Sequence, residues 1–155
     1  MAAALNRELI LALTLSGPPM AWARARDLGE DGYANPLRYS RWLSATGRAL
    51  GKEWRGEDGR RKDPIDGPVA VELLFLLKRP ARRPSSVPVE LWRLDRCPAI
   101  GRQDVDNLAA AIFDAITRAG WWTDDTRAAS LHAAKAWLPA DDDNERTEIR
   151  VYLLS

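Results

Sequence analysis

The sequence holds a single cysteine, Cys97, and a single histidine, His132. One cysteine excludes an intrachain disulfide and a thiolate metal cage. One histidine, with no nucleophile motif beside it, leaves nothing on which to build a Ser-His-Asp triad, and His132 reads as a strand side chain near the surface. No apolar run is long enough to cross a bilayer. The N-terminal stretch "MAAALNRELILALTLSGPP" has the outline of a signal peptide. Its apolar part, however, alternates like a strand and is interrupted by Arg7 and Glu8, so the chain reads as soluble and cytoplasmic, with no membrane partner. Net charge is equally scarce, at +1, and any surface for nucleic acid must therefore be a local patch. Internal repeats and low-complexity segments are absent.

What remains is a chain of 155 residues with 46% hydrophobic content, which predicts one domain, residues 1–155, with a packed core. A chain of this size buries about two-thirds of its unfolded surface. Leu9, Leu11, Leu13 and Leu15 alternate as a strand that stops at "SGPP". Met20 to Asn35 is irregular. The next stretch places Tyr39, Leu43, Leu50 and Trp54 on one helical face, with Pro36 suited to a first turn and Asn35 as the candidate cap. "VAVELLFLL", Val69 to Leu77, is apolar on both faces and predicts a central strand. Residues 56–67 and 79–101 predict mobile loops, the second rich in proline. Leu108, Ala111, Ile112, Ala115, Ile116 and Ala119 form a helical stripe that ends at Gly120. Ser130–Leu138 and Thr147–Leu154 read as strands joined into a hairpin by "PADDDNE". The expected architecture is α/β: a small mixed β-sheet of about four strands with two main helices packed on it.

The segment "GRQDVDNLAAAIFDAITRAGWWTDD" brackets that helix with carboxylates. Asp104 and Asp106 precede it at a spacing of two. In an extended segment their side chains share a direction and reach one point in space. Either could equally cap the helix. Asp124 and Asp125 follow the helix, where a turn would also account for them. Two carboxylates about 4 Å apart repel by roughly 4 kcal/mol at an effective dielectric near 20, so a fold that gathers three needs a cation or raised pKa values. With no His or Cys partners, oxygen-only ligands point to Mg²⁺ or Mn²⁺ rather than Zn²⁺. Trp121 and Trp122 read as packing residues.

The run "QDVDNLAAAIFDAITRAGWWTDD" resembles the core motif of the RusA-type Holliday junction resolvases: D-x-D-N-L, a helix, a Gly-aromatic turn and a D-D pair. The likeness continues through "TRAASLHAAKAWLP", where the family carries a strand lysine, here Lys135. It covers Arg102 to Pro139. Before Arg102 it is architectural only. The resemblance implies a Mg²⁺-dependent endodeoxyribonuclease of DNA recombination and repair. Such an enzyme acts as a homodimer that makes paired cuts in four-way junctions. Asp104 and Asp106 match the metal-binding D-x-D, Asp125 the third essential carboxylate and metal ligand, and Asp124, a further candidate ligand, and Asn107 accompanying positions. One position departs from the family: Ala110 stands where a first-turn lysine is usual. Lys135 or Arg102 would then substitute for that lysine, or the enzyme would be weakened.

Basic residues gather on either side of this motif. Lys78, Arg79, Arg82 and Arg83 lie at the end of the central strand, Arg24 and Arg26 in "RARDLG", and Arg93, Arg96 and Arg102 before the aspartates. Arg24, Arg26, Arg79, Arg82, Arg83, Arg102 and Lys135 are the candidates for phosphate contacts, against the plainer reading of a solvated loop. D-x-D also occurs in phosphatases with an aspartyl nucleophile and in metal-dependent glycosyltransferases. The phosphatase motif follows a buried strand and carries a threonine shortly after. Here the aspartates follow a Pro-rich loop and open a helix, which sets both readings aside. The remaining rival is a non-catalytic or weakly active dimeric module that binds branched DNA.

Overall fold

The computed structural model describes residues 4–22, 26–27, 33–34, 37–101 and 103–155. Its strands are β1 (Arg7–Ser16), β2 (Arg26–Asp27), β3 (Tyr33–Ala34), β4 (Val69–Leu77), β5 (Cys97–Pro98), β6 (Ala128–Trp137) and β7 (Arg146–Leu154). Its helices are α1 (Leu37–Glu53), α2 (Val89–Trp92) and α3 (Val105–Ala119), with a 3-10 turn at Asp125–Arg127. One sheet runs in the order β1-β7-β4-β6-β5, and β2 pairs with β3 apart from it. Four long strands, the two-residue β5 and two main helices make the expected mixed α/β domain. Among the described residues, no helix is long and apolar enough to cross a membrane.

β4 takes the centre because both of its faces are apolar. Seven of its nine residues are buried, and Glu72 and Leu74 are half-buried. It runs parallel to β6 and antiparallel to β7. The expected β6–β7 hairpin is therefore not formed: β4 lies between the two strands. The acidic connection after β6 arches over the end of β4, where the Leu138 N–H donates to the Leu77 carbonyl at 2.8 Å. The most hydrophobic strand gains most from a neighbour on each side, and that long-range preference overrides the local turn signal.

β1 departs from simple alternation. A bulge between Leu9 and Leu11 shifts its register against β7. Ile10, Leu11, Leu13 and Leu15 pack on the core, while Leu9 stays 51% exposed. An extra residue in one strand flips the facing of everything before it, and alternation in the sequence cannot reveal that.

α1 and α3 cover one face of the sheet. Leu50 from the first, Trp54 just past its end, and Leu108, Ile112 and Ile116 from the second meet Val69, Val71, Leu73 and Phe75 of β4. Full burial of each large side chain is worth about 1.5–3 kcal/mol. The Tyr39 hydroxyl donates to Asp114 Oδ2 at 2.7 Å and ties the two helices together. Burial, aided by this bond, holds the Tyr39 phenol well above its ordinary pKa. The expected cap Asn35 and Pro36 lie outside the described residues.

Both predicted loops carry local order. In 56–67, Ile65 is buried and its N–H donates to the Trp121 carbonyl at 2.6 Å. In 79–101, α2 and β5 form, and Val87, Cys97 and Ala99 pack with Leu77 and Trp137.

Candidate metal and nucleic-acid site

α3 begins three residues earlier than the apolar stripe implies. Asp104 is its N-cap residue, in extended backbone, and Asp106 sits in the first turn. The expectation that both aspartates precede the helix thus holds only for Asp104. Both are exposed, and the Asp104 side chain makes no capping hydrogen bond. Among the described residues, neither carboxylate has a hydrogen-bond or ion-pair partner. The exposed N-terminus of a helix favours an anion by about 0.3–1 kcal/mol. That is small beside the charge of two carboxylates at one helix end, so among the described residues the pair is left with unmet demand for positive charge.

The loop before them is fixed from the sheet. Lys135 projects from β6 and donates through Nζ to the carbonyls of Gly101, at 2.8 Å, and Gln103, at 2.7 Å. Gly101 turns the chain there with a φ of 76°, a conformation that side-chain-bearing residues rarely adopt. The Ala99 N–H adds a bond to the Lys135 carbonyl at 3.1 Å. The ammonium that the resemblance assigned to phosphate thus has two backbone acceptors, and it reaches the aspartates by holding their loop. The Asn107 carbonyl accepts from the Trp22 N–H at 2.9 Å, which joins the start of α3 to the N-terminal segment.

The other end of α3 lies about 22 Å away at 1.5 Å per residue. Gly120 closes the helix with a φ of 80°. A Cβ at this position would stand 2.0 Å from the Arg61 guanidinium, which itself bonds the Ala119 carbonyl at 2.5 Å. Trp121 and Trp122 are fully buried, as their packing role requires. Trp121 Nε1 donates to the Leu50 carbonyl at 2.9 Å, and Trp122 Nε1 donates to Thr117 Oγ1 at 2.6 Å. Asp124 caps the 3-10 turn, accepting from the Thr126 N–H at 2.8 Å and from the Thr126 hydroxyl. These bonds, the hydroxyl's first, hold its carboxyl below the usual carboxylate range. Asp125 is exposed; its carbonyl accepts from the Ala128 N–H, and among the described residues its carboxylate has no hydrogen-bond or ion-pair partner.

Asp104 and Asp106 are thus close neighbours at one end of α3, and Asp125 lies beyond the other. Among the described residues, no three Asp, Glu, His or Cys side chains gather closely enough to hold one metal ion. The sequence reading misses Gly101 and Thr126. The Asp-x-Thr spacing of Asp124 and Thr126 was a legible turn signal, whereas Gly101 carries none beyond being a glycine.

The basic candidates divide sharply. Arg79 donates to the carbonyls of Leu138 at 2.8 Å, Leu94 at 2.6 Å and Trp92, and stacks on the Trp92 ring. Arg83 donates to the Val87 carbonyl at 2.6 Å. Both brace the Pro-rich segment. Arg82 is exposed, with no partner among the described residues. Arg24 and Arg102 lie outside the described residues, and of Arg26 only the backbone is described, paired in β2 with Ala34.

The family model described as "Endodeoxyribonuclease RusA" matches residues 17–152. A protein of Escherichia coli O139:H28 named "Crossover junction endodeoxyribonuclease RusA" is 48% identical over 42 residues, covering 27% of this chain and 32% of its own length. Proteins of the same name from Escherichia coli K12 and Shigella sonnei are 38% identical over 50 residues, covering 32% of this chain and 42% of theirs. The chain therefore matches well under half the length of these curated relatives.

Proposed function

Because this chain belongs to the RusA family of endodeoxyribonucleases, we propose that it is a Mg²⁺-dependent endonuclease. Its substrate is the four-way DNA junction, cut by phosphodiester hydrolysis during recombination and repair. The observation that carries this reading is the exposed, unpartnered pair Asp104 and Asp106 at the start of α3, on a loop held by Lys135. Carboxylate oxygens with no competing cation among the described residues are the donors that Mg²⁺ or Mn²⁺ prefers, so the residues present fit such an ion. Asp104, Asp106 and Asp125 would hold it, and when bound it would supply charge neutralisation and an activated water at the scissile phosphate. The chain's own part is to hold the aspartates in place and to bind the DNA backbone. Lys135 fixes the loop, Asp124 shapes the turn that carries Asp125, and Arg82 is a free cation for phosphate.

The length of α3 bears on how the third carboxylate arrives. A two-fold dimer brings Asp125 of one protomer to Asp104 and Asp106 of its partner, giving two equivalent sites suited to paired cuts on a symmetric junction. Ala110 favours a second reading, a weakly active or non-catalytic module that binds branched DNA, because the family's usual cation is missing from the first turns of α3. Purified protein incubated with a synthetic four-way junction separates the two. Cleavage with Mg²⁺ that stops on chelation supports the nuclease. Tight junction binding with no cleavage in Mg²⁺ or Mn²⁺ supports the module.

A further inference from the structure

We propose that a second nucleic-acid contact, distinct from the aspartate site, lies in the cleft between the C-terminal ends of α1 and α3 and takes the phosphodiester backbone of a duplex arm. The inference rests on the nuclease reading and adds a place for DNA that the motif does not supply. The two helices end side by side: Trp121 Nε1 reaches the Leu50 carbonyl, and a Cβ at Gly51 would stand 3.7 Å from the Ala119 carbonyl oxygen. The cavity between them measures about 420 Å³ and is lined by Arg48, Lys52, Arg55, Arg61 and Arg118, with no carboxylate. All five cations are exposed, and among the described residues none forms an ion pair.

Helix dipoles explain only a part of this charge. Two C-terminal ends present about half a negative charge each, so roughly four of the five positive charges stay uncompensated. Arg61 is accounted for by its bond to the Ala119 carbonyl, and Arg55 in part by its bond to the Gly59 carbonyl. Arg48 and Lys52 have no such role. They stand one helical turn apart, a like-charge spacing that costs the helix a few tenths of a kcal/mol. A local cost without a structural return is the mark of a ligand site. Their side chains start about 5–6 Å apart, close to two steps of one DNA strand at about 3.4 Å each. The cleft also adjoins Gly120, from which the chain runs directly to Asp125. A backbone held here lies beside the carboxylate end of α3, where a junction arm has to pass.

The test uses the full chain carrying Arg48→Gln and Lys52→Gln, with Arg48→Glu and Lys52→Glu as a second variant. Each is titrated with linear duplex and with four-way junction between about 50 and 200 mM salt. Two lost phosphate contacts should reduce the slope of log affinity against log salt by about 1.8 on both DNAs. The charge-reversed protein should bind more weakly still. Junction cleavage should show a raised KM with kcat unchanged. A wild-type slope in folded variants, together with normal junction cleavage, overturns the cleft and leaves the nuclease reading intact. A reduced slope in a protein that cuts nothing supports the cleft and removes the nuclease. Wild-type protein that binds neither DNA overturns both.

Discussion

At its N-terminal end α3 carries two exposed carboxylates that no described residue satisfies; at its C-terminal end nearly every polar group has a partner. Gly120, Arg61, Trp121, Trp122 and Asp124 are fixed by backbone or side-chain bonds, and among the described carboxylates there only that of Asp125 is left free. Even near Asp104 and Asp106 the surrounding loop is pinned by Lys135 while the carboxylates are not. The contrast separates support from site. Polar atoms that shape the fold are bonded within the chain, and those of the proposed site are left open. The second basic region repeats the lesson, since Arg79 and Arg83 are spent on carbonyls whereas Arg48 and Lys52 are not.

Removing the open carboxylates should have the largest effect. Asp104→Asn, Asp106→Asn and Asp125→Asn keep the shape of the side chain and remove its charge. Each should lower Mg²⁺-dependent junction cleavage by about a thousandfold, on the scale of losing one electrostatic stabiliser from an active site, while junction binding survives. Full activity in any one variant would take that residue out of the site.

Next in size is the support beneath them. Lys135→Met frees the carbonyls of Gly101 and Gln103 without touching a carboxylate. A displacement of about 1 Å costs about a hundredfold in rate, so kcat should fall by that order with junction affinity nearly unchanged. Lys135→Arg, which keeps the donors, should recover part of the loss. If affinity fell instead and kcat held, Lys135 would belong with the DNA contacts.

Ala110 offers a way to sharpen the comparison. It stands one turn beyond Asp106 on the same side of α3, so Ala110→Lys adds a cation on the helix itself, one turn from that carboxylate. Steady-state cleavage should rise by about tenfold, a modest share of what one well-placed charge can supply. A fall in rate would mean that the chain has already supplied that charge from elsewhere.

The smallest effect belongs to the satisfied end. The folded pKa of Asp124 is held below its ordinary value of 3.8 by Thr126. Its contribution to stability is therefore present above that value and lost as pH falls through the folded pKa. Asp124→Asn should therefore be slightly less stable than wild type at neutral pH, with a shallower acid limb that closes the difference below about pH 4. An identical acid limb in the two proteins would discount the Thr126 bonds.

Much of this division was legible from sequence because it rests on local patterns. The stripe from Leu108 to Ala119 marks α3, the unbroken apolar run marks β4 as central, and the aspartates stand out by spacing. What escaped depends on contacts across the chain. The hairpin expectation failed because β4 inserts between β6 and β7. Leu9 left the core face through a bulge that its own alternation conceals. The helix start at Val105 moved Asp106 into the first turn, since apolar periodicity marks the buried face and not the exposed first residues. Arg79 stood among the candidate phosphate contacts, whereas the fold brings the carbonyls of Trp92, Leu94 and Leu138 around it. Arg48 and Lys52 carry no signal of their own in the sequence, because only the fold places Arg61 and Arg118 beside them.

The central claim is that one site needs both ends of α3, each from a different protomer. Subunit mixing tests it most directly. Asp104→Asn and Asp125→Asn proteins, inactive alone, are combined and assayed for nicking of a four-way junction, with subunit exchange verified independently. In a shared arrangement each heterodimer has one intact site and one doubly damaged site, so equal mixing should restore about a quarter of wild-type sites. If each chain builds its own site, every site lacks a ligand. A mixture that stays inactive despite full exchange would contradict the account.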